Sequence, residues 1–98
     1  MKIRELLCDE SKWTKGEFAR ISKGGDRCAP TSPNATCFCL SGAIIRCYDG
    51  PQEQQSIQYI RIREHISKWF GYDSVAGWND LPSTTFTDIR KIIEELDV

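Results

Sequence analysis

The 98-residue chain reads as a mainly α fold: one compact domain, residues 1–98, of about four helices around a central apolar helix. Three observations carry that reading. The stretch from Thr36 to Tyr48 has Arg46 as its only formal charge. Two later stretches repeat apolar residues at helical spacing. An apolar fraction of 40% in a chain this long supplies one hydrophobic core rather than two.

The elements follow in order. Ile3, Leu6 and Leu7 fall at i, i+3, i+4 and predict a short first helix over residues 2 to about 10. Lys15 to Ile21 reads as extended, Lys23-Gly24-Gly25-Asp26 as a turn, and Arg27-Cys28-Ala29 as a returning strand. Together they suggest a small β-hairpin near residues 15–29. Pro30 and Pro33 make the next segment a loop. The central helix then starts at a cap supplied by Asn34 or Thr36, and Asp49-Gly50-Pro51 stops it. A helix this apolar on nearly all sides is buried, with the others packed around it. Gly42 costs it about 1 kcal/mol relative to Ala, which predicts a close approach by another segment.

A longer helix is expected from about Glu53 to Phe70, with Tyr59, Ile62, Ile66, Trp69 and Phe70 on one face and Gly71 as its stop. Tyr72 to Pro82 reads as irregular. The last helix starts at Thr85, which forms a capping box with Asp88, and its stripe is Phe86, Ile89, Ile93 and Leu96. The expected core is Leu40, Ala43, Ile44, Ile62, Ile66, Ile89 and Ile93.

Thirteen basic and fourteen acidic residues leave a net charge of −1, so there is no bulk electrostatic footprint for nucleic acid or an anionic membrane. The first residues lack the pattern of a signal peptide, and no apolar run is long enough to span a bilayer. A cytoplasmic location is the expectation. Cysteines stand at 8, 28, 37, 39 and 47, an odd count that predicts free thiols. Cys37-x-Cys39 lacks the spacing of common zinc knuckles and the chain has a single His, so neither a metal site nor a cofactor is expected.

Three blocks stand out: Trp13-x-x-Gly16-x-x-Ala19-Arg20, Cys39-Leu40-x-Gly42-Ala43, and Trp78-Asn79-Asp80 followed by a Thr and the Asp88-Ile89 helix. In this order and spacing they resemble a family of small bacterial and phage proteins described only as a domain of unknown function. The resemblance covers about residues 3 to 96. The cysteine-rich surround of Cys39 and the charged helix at 53–70 depart from it. It implies a compact, mainly helical cytosolic domain and carries no activity with it.

Candidate chemistry is sparse. Cys39 lies in the first turn of a predicted helix, where backbone N–H groups favour a thiolate. With His65 and Asn79 or Asp80 it follows the chain order of papain-like enzymes, so Cys39, His65, Asn79 and Asp80 form the catalytic candidate set; a buried structural Cys39 is the simpler reading. Trp78, Asn79 and Asp80 offer an aromatic face, an amide and a carboxylate for binding. The simpler reading is that Trp78 packs on the core while Asn79 and Asp80 satisfy the loop backbone before the last helix. Arg61, His65 and Lys68 share a helical face suited to a phosphate or an acidic partner, or simply to solvent. The leading expectation is a small interaction protein, phage-encoded, that inhibits by binding a host protein through Trp78, Asn79 and Asp80 together with Arg61, His65 and Lys68. The alternatives are a nucleotide or small-molecule binder using the Trp78 loop, and a Cys39-dependent thiol enzyme.

Overall fold

A computed structural model describes residues 1–48 and 52–98. The expected stop signal Asp49-Gly50-Pro51 lies outside the described residues. Within them the order is α1 (Ile3–Leu6), a 3-10 turn (Glu10–Lys12), β1 (Ala19–Arg20), β2 (Cys37–Phe38), α2 (Leu40–Cys47), α3 (Gln52–Phe70), α4 (Val75–Asn79) and α5 (Phe86–Leu96). The fold is mainly α, as expected, with one core. The seven residues expected in that core are all buried, joined by Ile3, Leu7, Trp13, Phe38, Val75, Trp78 and Ile92. Helix α2 packs against α1, α3, α4 and β2, while α5 closes the core from the side of α1 and α3.

The central helix starts later than its apolar run. Cys37 and Phe38 are both buried in the strand β2, and the helix begins only at Leu40, with Cys39 rather than Asn34 or Thr36 as its N-cap. The reason is tertiary. Antiparallel pairing with β1 sets Ala19 against Phe38 and Arg20 against Cys37, and backbone bonds from Thr36 N to Arg20 O and from Cys39 N to Phe18 O hold the stretch extended. Strand pairing thus overrides a helical tendency that is weak in β-branched and aromatic residues. The expected hairpin is present in a different register of importance. Arg20 meets Arg27 in an isolated bridge, flanked by bonds from Ile21 N to Asp26 O and from Cys28 N to Ala19 O, while the named strand partner is β2.

Gly42 has the close neighbour its position called for. A Cβ there would stand 1.8 Å from the carbonyl oxygen of Phe18, so the backbone leading into β1 lies directly on α2.

Two expectations need correction. Of the stripe placed on α3, only Ile62 and Ile66 are buried, whereas Tyr59, Trp69 and Phe70 are exposed. The cause is what faces them. Trp69 and Phe70 lie against α5 where it presents Asp88, Lys91 and Glu95 beside one buried apolar residue, Ile92, so the seam stays open, and Tyr59 lines a separate open hollow with Ile44 and Ile45. The segment Tyr72 to Pro82, expected to be irregular, contains the five-residue helix α4. Ser74 caps it by accepting from Gly77 N, and Val75 and Trp78, three residues apart, point into the core. At the other end of the chain, Thr85 and Asp88 form the expected reciprocal capping box of α5.

Candidate functional site

The three sequence blocks meet at one buried side chain, that of Asn79. Its Oδ1 accepts from Trp13 Nε1 at 2.7 Å and from Leu40 N at 3.0 Å. Its Nδ2 donates to Thr14 O at 3.1 Å and to Asp80 Oδ1 at 2.9 Å. Asp80 Oδ1 also accepts from Gly16 N at 2.9 Å. One amide therefore ties the Trp13–Gly16 segment, the first turn of α2 and the end of α4 together. Every hydrogen-bonding direction of the amide is used, which is the requirement for a polar group that is 0% exposed. Trp78, 2% exposed, packs its ring 5.0 Å from that of Phe70 and accepts at its carbonyl from Thr84 Oγ1 at 2.6 Å. The placement of Trp78 and Asn79 on a contact surface is thus corrected. Both are interior, and the reason is the short helix α4, which turns them onto the core. Asp80 is exposed but engaged with Gly16 and Asn79.

Cys39 and His65 lie in different clefts. Cys39, with Gly16, Phe18, Ala76 and Asp80, lines a hollow of about 120 Å³. Its sulfur accepts from Gly42 N at 3.3 Å, the N-cap bond of α2. Burial, reinforced by the Asp80 carboxylate, pushes the thiol up to about 11, so the sulfur is protonated at neutral pH despite its helix terminus. His65 Nε2 instead faces Glu95 Oε2 at 3.2 Å across α3 and α5. The structure brings Cys39 together with Asp80 and brings neither to His65.

All five cysteines are free thiols. In native protein at neutral pH we expect iodoacetamide to modify exposed Cys8 readily and Cys39 only after denaturation, when mass spectrometry should find all five alkylated. Rapid native labelling of Cys39 would return it to the list of nucleophiles. Among the described residues no group of three or more His, Cys, Asp or Glu side chains is placed to hold a metal ion.

The basic side of α3 is largely committed. Arg61 donates to Gln58 Oε1 at 2.9 Å and to Leu96 O at 2.7 Å, covering the end of α5. Lys68 lies over the Trp69 ring at 5.5 Å. What the sequence did not single out is the cleft beside these residues, about 200 Å³ between α3 and α5, lined by His65, Trp69 and Phe70 on one side and Asp88, Lys91, Ile92 and Glu95 on the other. Trp69 is 64% exposed and Phe70 46% exposed there. The available signal was the pairing of an aromatic stripe ending in Trp69 and Phe70 with a last helix that carries charged residues at Asp88, Lys91 and Glu95 beside its own stripe.

These features define a small, mainly α domain pinned by a buried asparagine, with an uncovered aromatic cleft at one end of its longest helix. No helix among the described residues is long and apolar enough to cross a membrane. The chain belongs to the family of unknown function DUF6197, whose model matches residues 1–96. Neither a curated protein nor a solved structure matches it.

Proposed function

We propose that the protein is a small interaction domain that acts by binding another protein, and that its contact surface is the aromatic cleft between α3 and α5. The observation that carries this reading is Trp69, 64% exposed beside a half-exposed Phe70 on the regular end of a helix. Aromatic side chains exposed on a rigid element are the usual anchors of protein interfaces, because they bring large apolar area with few torsions to order. His65, Lys91 and Glu95 around the cleft supply the polar rim such an interface needs. The contact surface thus moves from the Trp78 loop to its exposed neighbours and retains His65 and Lys68. Asn79 and the Trp78 ring have no free face to offer a nucleotide or small molecule, so that alternative has no supporting geometry. The narrower form of the proposal is a phage-encoded inhibitor, acting in the cytoplasm by occupying a host protein's surface.

The test is quantitative capture from lysate of the encoding organism or its host, comparing the native chain with Trp69→Ala, both checked for folding by circular dichroism. Because Trp69 is largely solvent-exposed, the substitution should leave the melting temperature nearly unchanged. It should weaken binding of the captured partner by about 30-fold or more, the effect of a hot-spot residue. Full affinity in both Trp69→Ala and Phe70→Ala would remove this cleft from the function.

A further inference from the structure

A second site stands apart from the aromatic cleft and rests on different observations. The segment from Trp13 to Arg27 carries four cations, Lys15, Arg20, Lys23 and Arg27. Lys15, Arg20 and Lys23 line one open cleft of about 440 Å³ together with Trp13, Thr14 and Gly24. No carboxylate among the described residues lines it. Among the described residues, none of the four cations has a carboxylate within ion-pair distance, whereas Lys2, Arg4 and Arg90 elsewhere all do.

The cationic groups are held in place. Arg20 donates from Nε to Thr14 Oγ1 at 3.0 Å, and from its two terminal nitrogens to Gly25 O at 2.9 Å and Lys15 O at 3.2 Å. That engages three of the five N–H groups of a guanidinium and leaves two for a ligand. Lys15 donates to Leu81 O at 2.6 Å, and Lys23 donates to Glu10 O at 3.0 Å and to Trp13 O. Both ammonium groups sit over the same indole, that of Trp13, at 5.3 and 5.5 Å. Long side chains on a surface normally keep their rotamer freedom; here backbone carbonyls and an aromatic ring fix them, so the ordering cost of binding is already met.

The Arg20–Arg27 bridge adds to the argument. The bonds flanking it, Ile21 N to Asp26 O and Cys28 N to Ala19 O, make it a non-hydrogen-bonded antiparallel pair, the arrangement that brings facing side chains closest. Like charges in that position are unfavourable unless an anion lies between or beside them. Carbonyl dipoles offset part of the repulsion but add no negative charge. A single carboxylate supplies one charge and two acceptor atoms. A phosphate group supplies more charge and more acceptors, matching several donors that converge from Arg and Lys.

We propose that the Lys15–Arg20–Lys23 cleft is a binding site for a phosphate-bearing small molecule. The phosphate group is the recognised element, whether it arrives as a free inorganic anion or as part of a nucleotide. The Trp13 ring is buried and flanked by the two lysines, so it offers no open face for a base to stack on.

The experiment is a titration of the isotope-labelled full chain with sodium pyrophosphate, followed by amide and Arg Nε–H chemical shifts. It is run at about 150 mM salt, where screening suppresses diffuse attraction. Saturable shifts confined to residues 13–27 are expected. Lys15→Gln combined with Lys23→Gln should weaken binding by about tenfold or more, since each removes a charge-assisted bond. Because those lysines also tie down loops, Arg27→Gln is the companion variant. Arg27 is exposed, and its loss should weaken binding several-fold with the melting temperature preserved. Equal affinity for pyrophosphate and adenosine diphosphate would support recognition of phosphate alone. Tighter binding of the diphosphate nucleoside would support a nucleotide. Absence of saturation in the millimolar range would overturn the site. So would shifts spread equally to Lys68 and Lys91, or binding of a single-stranded oligonucleotide but not of pyrophosphate.

Discussion

Trp78→Ala should cost about 3–5 kcal/mol of folding stability, as expected for truncating a large aromatic side chain in a closed core. The indole is 2% exposed, stacks on Phe70, and sits on a five-residue helix that has little propensity of its own. Helices that short are held by packing rather than by their backbone bonds. Removing the ring therefore opens a cavity and also releases α4, which carries Asn79 with it. Denaturant unfolding of the two proteins measures the difference directly. A loss under about 1 kcal/mol would mean that Trp78 is not part of the core, since surface substitutions rarely exceed about 0.5 kcal/mol.

Asn79→Ala is the second large effect. It leaves the Trp13 indole N–H and the Leu40 amide, the first residue of α2, buried with no acceptor. Each stranded donor costs about 1–3 kcal/mol, so the sum falls at about 2–6 kcal/mol. The Asn79→Asp variant separates the two halves of the amide. It keeps the acceptor for Trp13 and Leu40, loses the donor to Thr14 O, and brings a second carboxylate against Asp80. With the introduced carboxyl protonated at low pH, Asn79→Asp should approach native stability, and the deficit should grow as rising pH ionises that buried group. Stability of Asn79→Ala within about 0.5 kcal/mol of native, by the same unfolding measurement, would show that these bonds are replaced by water.

The parts of this fold that were legible in the sequence are those dictated by local chemistry. Thr85 and Asp88 announce the start of α5, Gly42 announces a crossing, and Leu40, Ala43 and Ile44 announce a buried helix. The parts that were not legible depend on partners distant along the chain. Cys37 and Phe38 are apolar enough for either a helix or a strand, and only β1 decides between them. Asn79 in isolation is a turn residue. Its role is visible only when Trp13 and Leu40 are brought to it. Tyr59, Trp69 and Phe70 obey helical periodicity well, yet periodicity says nothing about which side chains a neighbouring helix will set against them. The basic cleft escaped for a related reason. A net charge of −1 over the whole chain conceals four cations in one short segment that, among the described residues, have no carboxylate at ion-pair distance.

The asparagine knot also fixes an order of events at the ribosome. Trp13 and Leu40 leave the exit tunnel 66 and 39 residues ahead of the single side chain that accepts from both. Until Asn79 emerges, the indole and the first amide of the central helix must stay bonded to water, so neither can be sealed into a dry interior. The loop to be closed is long, and the reward comes only at the end. The nascent chain is thereby kept hydrated and open until α4 arrives, and the interior is completed only when α5 adds Ile89, Ile92 and Ile93 to it. Pulse-labelling of amide hydrogens during refolding would show this as protection of Leu40 appearing together with that of Trp78 and no earlier.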